Sequence, residues 1–403
     1  MAVTVDHEPL LSASEVQALF NPLDYALGLP GRVYSDGRYW EAERERIFKD
    51  DWFAVGYASD VPNLGDVLPV TVAGYELVLV RGSDNEVRCF HNLCRHRGTK
   101  LVLKPANVRN ITCGWHCWSY SLKGELLNTP IIAGPRTREH PSFQKPDLGL
   151  VPVASRLWHD AVFVNISGSG RPFEGITGVL DDLFARYQPG QFDLEHPVRH
   201  VDTVLKINWK LYHEGGLEGY HLPFVHPALE QPDRYEVHND HATFSSLTGT
   251  LSKYKRLGAW VDQANDLVSL NAAAAAADRH GKKIPYTIAF ITPTLVFAVW
   301  PEAIVSTMLR PLSATETGVR RNLYFIGASA TSDEAAAARA KYLEIWEGIT
   351  AEDADYSQGV QSLSAQRDEV GVSTRFSPYW ESAVHKFQQR IATKAYRAGL
   401  NCK

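Results

Sequence analysis
Between Trp52 and about Ile166 the chain alternates short apolar, β-branched runs with turn signals. Residues 67–72, 76–80 and 87–90 are three such runs, separated by Gly65-Asp66, Gly74 and Asp84-Asn85. The flanking regions follow a different period. Residues 13–30 and 37–50 have helical spacing, with Ser14 placed to cap a helix from Glu15. Ser167-Gly168-Ser169-Gly170 marks a boundary into a mixed region. There 173–187 predicts a helix, 200–207, 286–300, 303–309 and 318–326 predict strands, and 335–366 predicts one long helix. Six alanines at 272–277 predict an exposed helix. This order fits an α+β chain: a small all-β domain over 52–166, then a sheet covered by helices on one face over 167–403.

A length of 403 residues accommodates two or three domains at ~150 residues each. Hydrophobic residues at 44% and charged residues at 22% describe an ordinary globular protein. The net charge of −5 offers no basic footprint, so no nucleic-acid partner is expected. The N-terminus, MAVTVDHEPLLSASEV, has no apolar core and is not read as a signal peptide. The most apolar stretch, 287–300, is interrupted by Pro293 and falls short of the ~20 residues of a spanning helix. No membrane association and a cytoplasmic location are therefore expected.

The candidate chemistry begins in the β region. Cys94 and His96 form C-x-H, and Cys113 and His116 form C-x-x-H. Two thiolates and two imidazoles suit a [2Fe–2S] centre with Cys₂ on one iron and His₂ on the other, the Rieske arrangement. Imidazoles in place of thiolates remove negative charge and raise the potential to roughly −150 to +300 mV. Zinc is the competing occupant, but a zinc ribbon usually has C-x-x-C on at least one knuckle, and neither half here does. The other three of the five cysteines, Cys89, Cys117 and Cys402, need no disulfide in a reducing compartment. Thr99 and Trp115 stand where respiratory Rieske proteins carry two extra, disulfide-forming cysteines.

An electron acceptor should lie further along. Asn208-Trp209-Lys210 leads into a segment holding His213, Glu214, Glu218, His221 and His226. Two histidines and one carboxylate make the facial triad of non-haem Fe(II) oxygenases, with open positions for O₂ and substrate. His221 and His226 are five residues apart, slightly off one helical face, and Pro223 is expected to break the helix between them. Asp353 is the expected carboxylate, with Glu352 and Asp355 as neighbours that are either solvated helix charges or the ligand.

Cys94-Arg95-His96-Arg97-Gly98, Cys113-Gly114-Trp115-His116-Cys117-Trp118, N-W-K, E-x-Y-H with H-x₄-H, and E-D with Gln361 eight residues after Asp353 together resemble the catalytic subunits of Rieske non-haem iron oxygenases. The resemblance runs over almost the whole chain, in that family's domain order. It implies a helix-grip, START-like catalytic domain over 167–403, to which residues 1–51 also belong. It implies a [2Fe–2S] cluster on Cys94, His96, Cys113 and His116, and a mononuclear Fe(II) on His221, His226 and Asp353. Electrons would come from NAD(P)H through a separate flavin/iron–sulfur reductase. A head-to-tail homotrimer would carry them from the cluster of one subunit to the iron of the next.

Glu218 would bridge the two centres, taking hydrogen bonds from an iron-ligand histidine and from a cluster histidine of the neighbouring subunit. Glutamate there, rather than aspartate, resembles the choline, glycine-betaine and carnitine branch. Gly215-Gly216 in place of an Asn-Phe pair, and Gln358 in place of Glu, depart from the pattern. The implied reaction is hydroxylation of a quaternary amine, with Trp260, Trp300, Tyr254 and Phe224 as candidate aromatic faces for the cation. The alternative is an aromatic acid, hydroxylated or O-demethylated, whose carboxylate pairs with Arg310 or Lys255. The segment 254–283 is a candidate cap over the pocket. Two other classes remain open on sequence: an electron carrier with the cluster and no iron triad, and a zinc-stabilised binding protein.

Overall fold
Short turns between strands of alternating burial bring distant parts of the β region into one sheet. In the computed structural model, which describes residues 9–199, 202–226, 236–238, 244–251 and 269–396, the chain divides into two compact units. One is Lys49–Phe173, and the other combines Met1–Phe48 with Glu174–Lys403.

The Lys49–Phe173 unit holds a seven-stranded sheet in the order Phe53–Tyr57, Ala161–Asn165, Pro152–Trp158, Val87–His91, Tyr75–Arg81, Asp66–Val72, Ala106–Asn107. A three-stranded sheet of Ile111–Thr112, Ser119–Tyr120 and Leu126–Asn128 lies beside it. Val78, Val80, Phe90, Trp118, Tyr120 and Leu126 build one core, and Cys94 and Cys113 are buried within it. The loops bearing the cysteines are thus anchored from below by packed aromatic and aliphatic side chains.

The second unit is built on an antiparallel sheet. Its strands run Val198–Arg199, Glu316–Phe325, Ala303–Ser313, Leu295–Val299, Ile284–Ile291, Phe244–Leu251, Glu236–His238, and Thr203–Leu205 also pairs with Glu316–Phe325. Period-two alternation puts Tyr286, Ala298, Trp300, Val305 and Leu323 on one face, where Tyr342 of the helix Ala336–Ser362 packs against them. The opposite face receives Phe184 of the helix Glu174–Phe184, whose ring lies 5.2 Å from Phe297. Among the described residues no helix is long and apolar enough to cross a membrane.

Several local expectations are corrected. The first helix spans Ala13–Leu19 and is capped by Ser12, not Ser14, with Glu15 returning the bond to the Ser12 backbone. It ends before Pro22, and the next helix, Gly37–Glu43, passes into a wider turn over Arg44–Phe48. Residues 286–300 form two strands, Ile284–Ile291 and Leu295–Val299, because Pro293 cannot donate to a ladder and sits at the hairpin between them. The polyalanine helix Ala272–Arg279 is not simply exposed: Ala274 and Ala277 pack on Ile284, where methyl side chains allow close approach. The long helix stops at Ser362, and Ser364–Glu369 is a separate short helix.

Candidate metal centres
Two loops of matching design carry the cysteine–histidine quartet. Cys94 N donates to Thr99 O at 2.8 Å and Cys94 O accepts from Gly98 N at 2.8 Å. Cys113 N donates to Trp118 O at 2.8 Å and Cys113 O accepts from Cys117 N at 3.0 Å. The fifth residue of each loop is left-handed, Gly98 at φ +70° and Cys117 at φ +56°. Cys117 therefore occupies the turn position that glycine fills in the other loop. Both ligand thiols are buried, while His96 is half-buried and His116 exposed.

The two imidazole Nδ1 atoms converge to 3.2 Å with ring planes 81° apart, a geometry that a shared metal ion satisfies. His96 is further held by stacking on Trp118, 4.9 Å away. Tyr120 OH lies 3.3 Å from Cys94 Sγ and accepts from Arg95 N at 3.1 Å, so its proton is free to point at the sulfur. The donor set fits two irons of unequal ligation, two buried sulfurs below and two nitrogens toward solvent.

The second centre starts from a clamp. Asn208 caps the helix Trp209–Gly216 by accepting from Lys210 N at 3.0 Å, and its own N–H donates to Gln361 Oε1 at 2.7 Å. Trp209 Nε1 donates to Glu43 Oε2 at 2.7 Å, and Lys210 Nζ donates to Glu43 Oε1 at 2.5 Å, all three side chains being buried. Each residue of the N-W-K triple thus ties this helix to a distant element. One helical turn on, His213 Nε2 donates to Pro293 O at 2.9 Å, and burial pushes its pKa down to about 4, so it is neutral. Glu214 accepts from Tyr34 OH at 2.8 Å, and burial pushes its carboxyl up to about 7. A Cβ on Gly216 would come within 2.4 Å of the Phe290 ring, which explains a glycine at that helix end.

His221 and His226 flank a single turn, Leu222–Val225. Pro223 lies in its first turn, where its missing N–H costs nothing, so it starts a helix here and does not break one. His221 Nε2 lies 3.6 Å and His226 Nε2 2.9 Å from Asp353 Oδ1. One ligand atom from each of the three residues falls within 4.8 Å of the others. For ligand bonds of about 2.1 Å, angles of about 90–120° at one ion require separations of roughly 3.0–3.6 Å, which matches the two carboxylate–imidazole distances.

The outer nitrogens are also fixed. His221 Nδ1 lies 2.5 Å from Glu218 Oε1, and Glu218 additionally accepts from the backbone N–H groups of Tyr220 and His221. His226 Nδ1 lies 2.7 Å from Glu352 Oε2. Both imidazoles are therefore held with the proton on Nδ1 and the lone pair of Nε2 toward Asp353, the tautomer a metal needs. Sequence reasoning left Glu352 as a solvated charge or a ligand, and the structure gives it to His226. Asp355, the other neighbour, is exposed.

These ligands open on a cavity of about 570 Å³ within the second unit. Trp300 lines it, stacked on Tyr286 at 4.4 Å and 5.5 Å from Trp346. Phe224 is 76% exposed and does not line the cavity. Arg310 pairs with Asp202 at 3.0 Å and is not a lining residue either. Trp260, Tyr254, Lys255 and Cys402 lie outside the described residues, as does the first half of the candidate cap.

A family model for the ring hydroxylating alpha subunit (catalytic domain) matches residues 192–395, and one for the Rieske [2Fe–2S] domain matches 51–143. The chain belongs to the ring-hydroxylating alpha-subunit family, with a Rieske [2Fe–2S] domain and that family's catalytic domain. It is 29% identical over 226 residues to the glycine betaine monooxygenase oxygenase subunit of Pseudomonas aeruginosa, covering 55% of this chain and 50% of that one. It is 32% identical over 220 residues to the carnitine monooxygenase oxygenase subunit of Escherichia coli, covering 53% and 57%. The chain thus matches about half the length of these curated relatives. Its fold superposes on a quaternary ammonium Rieske monooxygenase in complex with L-carnitine at a TM-score of 0.71, with 21% identity over 94% of this chain and 98% of that one.

Proposed function
We propose that this chain is the terminal component of a multi-component oxygenase that hydroxylates a small quaternary amine or betaine. The observation that carries the reading is the convergence of His221, His226 and Asp353 on a cavity, in a chain that also bears the Cys94, His96, Cys113, His116 quartet. When bound, the cluster supplies single electrons and the mononuclear iron supplies O₂ activation. A separate NAD(P)H-dependent flavin/iron–sulfur reductase provides two electrons per turnover. The balance is substrate, O₂, two electrons and two protons giving hydroxylated substrate and water. A hydroxyl placed on carbon next to nitrogen collapses to an aldehyde and a shorter amine.

Residues 52–166 form the cluster domain in this reading, and 1–51 with 167–403 form the catalytic domain. Glu218 holds His221 in register and carries the electron route in a head-to-tail homotrimer. A cytoplasmic enzyme is consistent with thiols that form no disulfide among the described residues. The betaine and carnitine relatives support the substrate class, as does Glu218 on the cavity wall, the residue that resembles that branch. A second reading, an aromatic acid, has the support of a relative 33% identical over 206 residues, the 2-aminobenzenesulfonate 2,3-dioxygenase subunit alpha of Alcaligenes sp.

The test is His221→Ala in the purified, reductase-coupled enzyme. Turnover should fall at least a hundredfold with the visible spectrum of the cluster unchanged. Retained turnover would remove the triad from the chemistry, and a colourless zinc-containing protein without labile sulfide would overturn the oxygenase reading.

A further inference from the structure
On the cavity wall the Arg321 guanidinium has no carboxylate partner among the described residues. Arg321 lies on the strand Glu316–Phe325, directly opposite Thr307 of Ala303–Ser313, and its side chain enters the face that lines the cavity. It is 3% exposed. Its Nε donates to Thr307 Oγ1 at 3.1 Å, Nη1 to Trp346 O at 2.9 Å, and Nη2 to Tyr212 OH at 3.3 Å and Thr350 Oγ1 at 2.9 Å. The guanidinium also lies over the Trp346 ring, 5.5 Å from its centroid. Every acceptor is neutral, and among the described residues no carboxylate pairs with Arg321. These bonds fix the fork in place and leave its full positive charge in a buried, aromatic-walled site. A buried charge is costly unless it is paired; the four bonds use four of the five N–H donors, so the remaining Nη1 N–H and the unbalanced charge are what a carboxylate would meet.

We propose that Arg321 binds a carboxylate on the substrate and so sets specificity for acids over neutral or purely cationic analogues. The inference rests on the cavity being the substrate site, as in the reading above. Tyr212 accepts from Arg321, which leaves its own hydroxyl proton to add a second donor to the same anion. Thr350 stands three residues before Asp353 on the helix Ala336–Ser362, about 4.5 Å of helix rise. An anion held at Arg321 is thereby near the ligand set, which suits a short acid. The arrangement disfavours a bare cation on Trp346, because the guanidinium already occupies that neighbourhood. For a quaternary amine it selects the zwitterion.

Two matched pairs of probes test this by calorimetric titration of the holoenzyme without O₂: glycine betaine against choline, and benzoate against benzyl alcohol. In at least one pair the acid should bind tenfold or more tightly than its alcohol, and Arg321→Gln should cut that ratio below threefold. A purely structural role would weaken both members of a pair alike, so the ratio is the readout. Wild-type enzyme with no acid preference in either pair, whether through equal binding or no binding, overturns the proposal, as does an unchanged ratio in Arg321→Gln. Arg321→Met, close in length and neutral, replaces the glutamine variant where that one does not fold. A preference confined to benzoate keeps the role of Arg321 and overturns the amine reading. Choline bound as tightly as glycine betaine, with neither benzoate nor benzyl alcohol bound, overturns the role of Arg321 and leaves the amine reading standing.

Discussion

Glu352→Ala removes the carboxylate that lies 2.7 Å from His226 Nδ1. With Glu352 present, the proton sits on Nδ1 and the Nε2 lone pair faces Asp353 Oδ1, 2.9 Å away. Without it, the neutral ring gains by protonating Nε2 and donating to Asp353, which leaves no lone pair for a metal. Losing such an outer carboxylate typically costs about 10–100-fold in metal affinity. Two features of this site choose within that range. The His226 side chain is 1% exposed, so the ring cannot swing to another partner, while Glu352 is 48% exposed, so water replaces part of what is lost. The expected loss is therefore near the lower end, about tenfold or ~1.4 kcal/mol. Glu218 is 13% exposed and makes three bonds around His221, which places Glu218→Ala nearer the upper end. The assay is Fe(II) titration of iron-stripped protein against a competing chelator, with cluster absorbance as an internal control. Glu352→Ala within twofold of wild type, or more damaging than Glu218→Ala, would refute the tautomer reasoning.

Other consequences follow from the same geometry. Lys210→Met leaves Glu43 buried without its cation and should cost about 3–5 kcal/mol in denaturant unfolding, most of it recovered in the Lys210→Met/Glu43→Gln double variant. Tyr120→Phe removes the hydrogen bond to Cys94 Sγ, which stabilises the more negative reduced cluster, so the midpoint potential should drop by roughly 30–60 mV in a redox titration. Burial raises the Glu214 carboxyl from 4.5 to about 7, so between these values the folded state binds more protons than the unfolded and stability falls as pH rises. Because Glu214 borders the cavity, where water moderates the shift, Glu214→Gln should gain about 1–3 kcal/mol on wild type between pH 5 and pH 8. An unchanged difference across that range would place the Glu214 titration outside the window.

The cluster quartet was legible in the sequence because its ligands are local: two short loops, each closed by its own backbone bonds, carry all four side chains. His221 and His226 were legible for the same reason. Asp353 was reached through a resemblance, since a carboxylate 127 residues after His226 is placed by tertiary packing alone. Glu352 and Arg321 show where sequence reasoning stops. Glu352 reads as an exposed helix charge until His226 is seen beside it. Arg321 is one of two adjacent arginines in a strand, and only the register opposite Thr307 turns it toward the cavity. A signal was nevertheless present: Trp346, Thr350 and Asp353 fall on one helical face by their spacing, and that face is the cavity wall. Residues 286–300 read as continuous strand because an apolar run carries no mark of a hairpin apart from Pro293. The N-W-K triple was visible as a motif, but its partner Glu43 was not, because nothing in the sequence around Glu43 distinguishes it from its charged neighbours.

The central claim is that this chain inserts oxygen from O₂ into a small substrate at the His221, His226, Asp353 site. A single turnover of the reduced, iron-loaded enzyme with ¹⁸O₂ and a panel of quaternary amines and aromatic acids tests it most directly. The account predicts one labelled oxygen in a carbinol or aldehyde derived from an amine, with water exchange controlled, and no label when Asp353→Ala replaces the wild type. Label in a ring hydroxyl would move the chain to the aromatic reading. A reduced cluster that reoxidises with no label in any product, under conditions where iron is bound, would contradict the account.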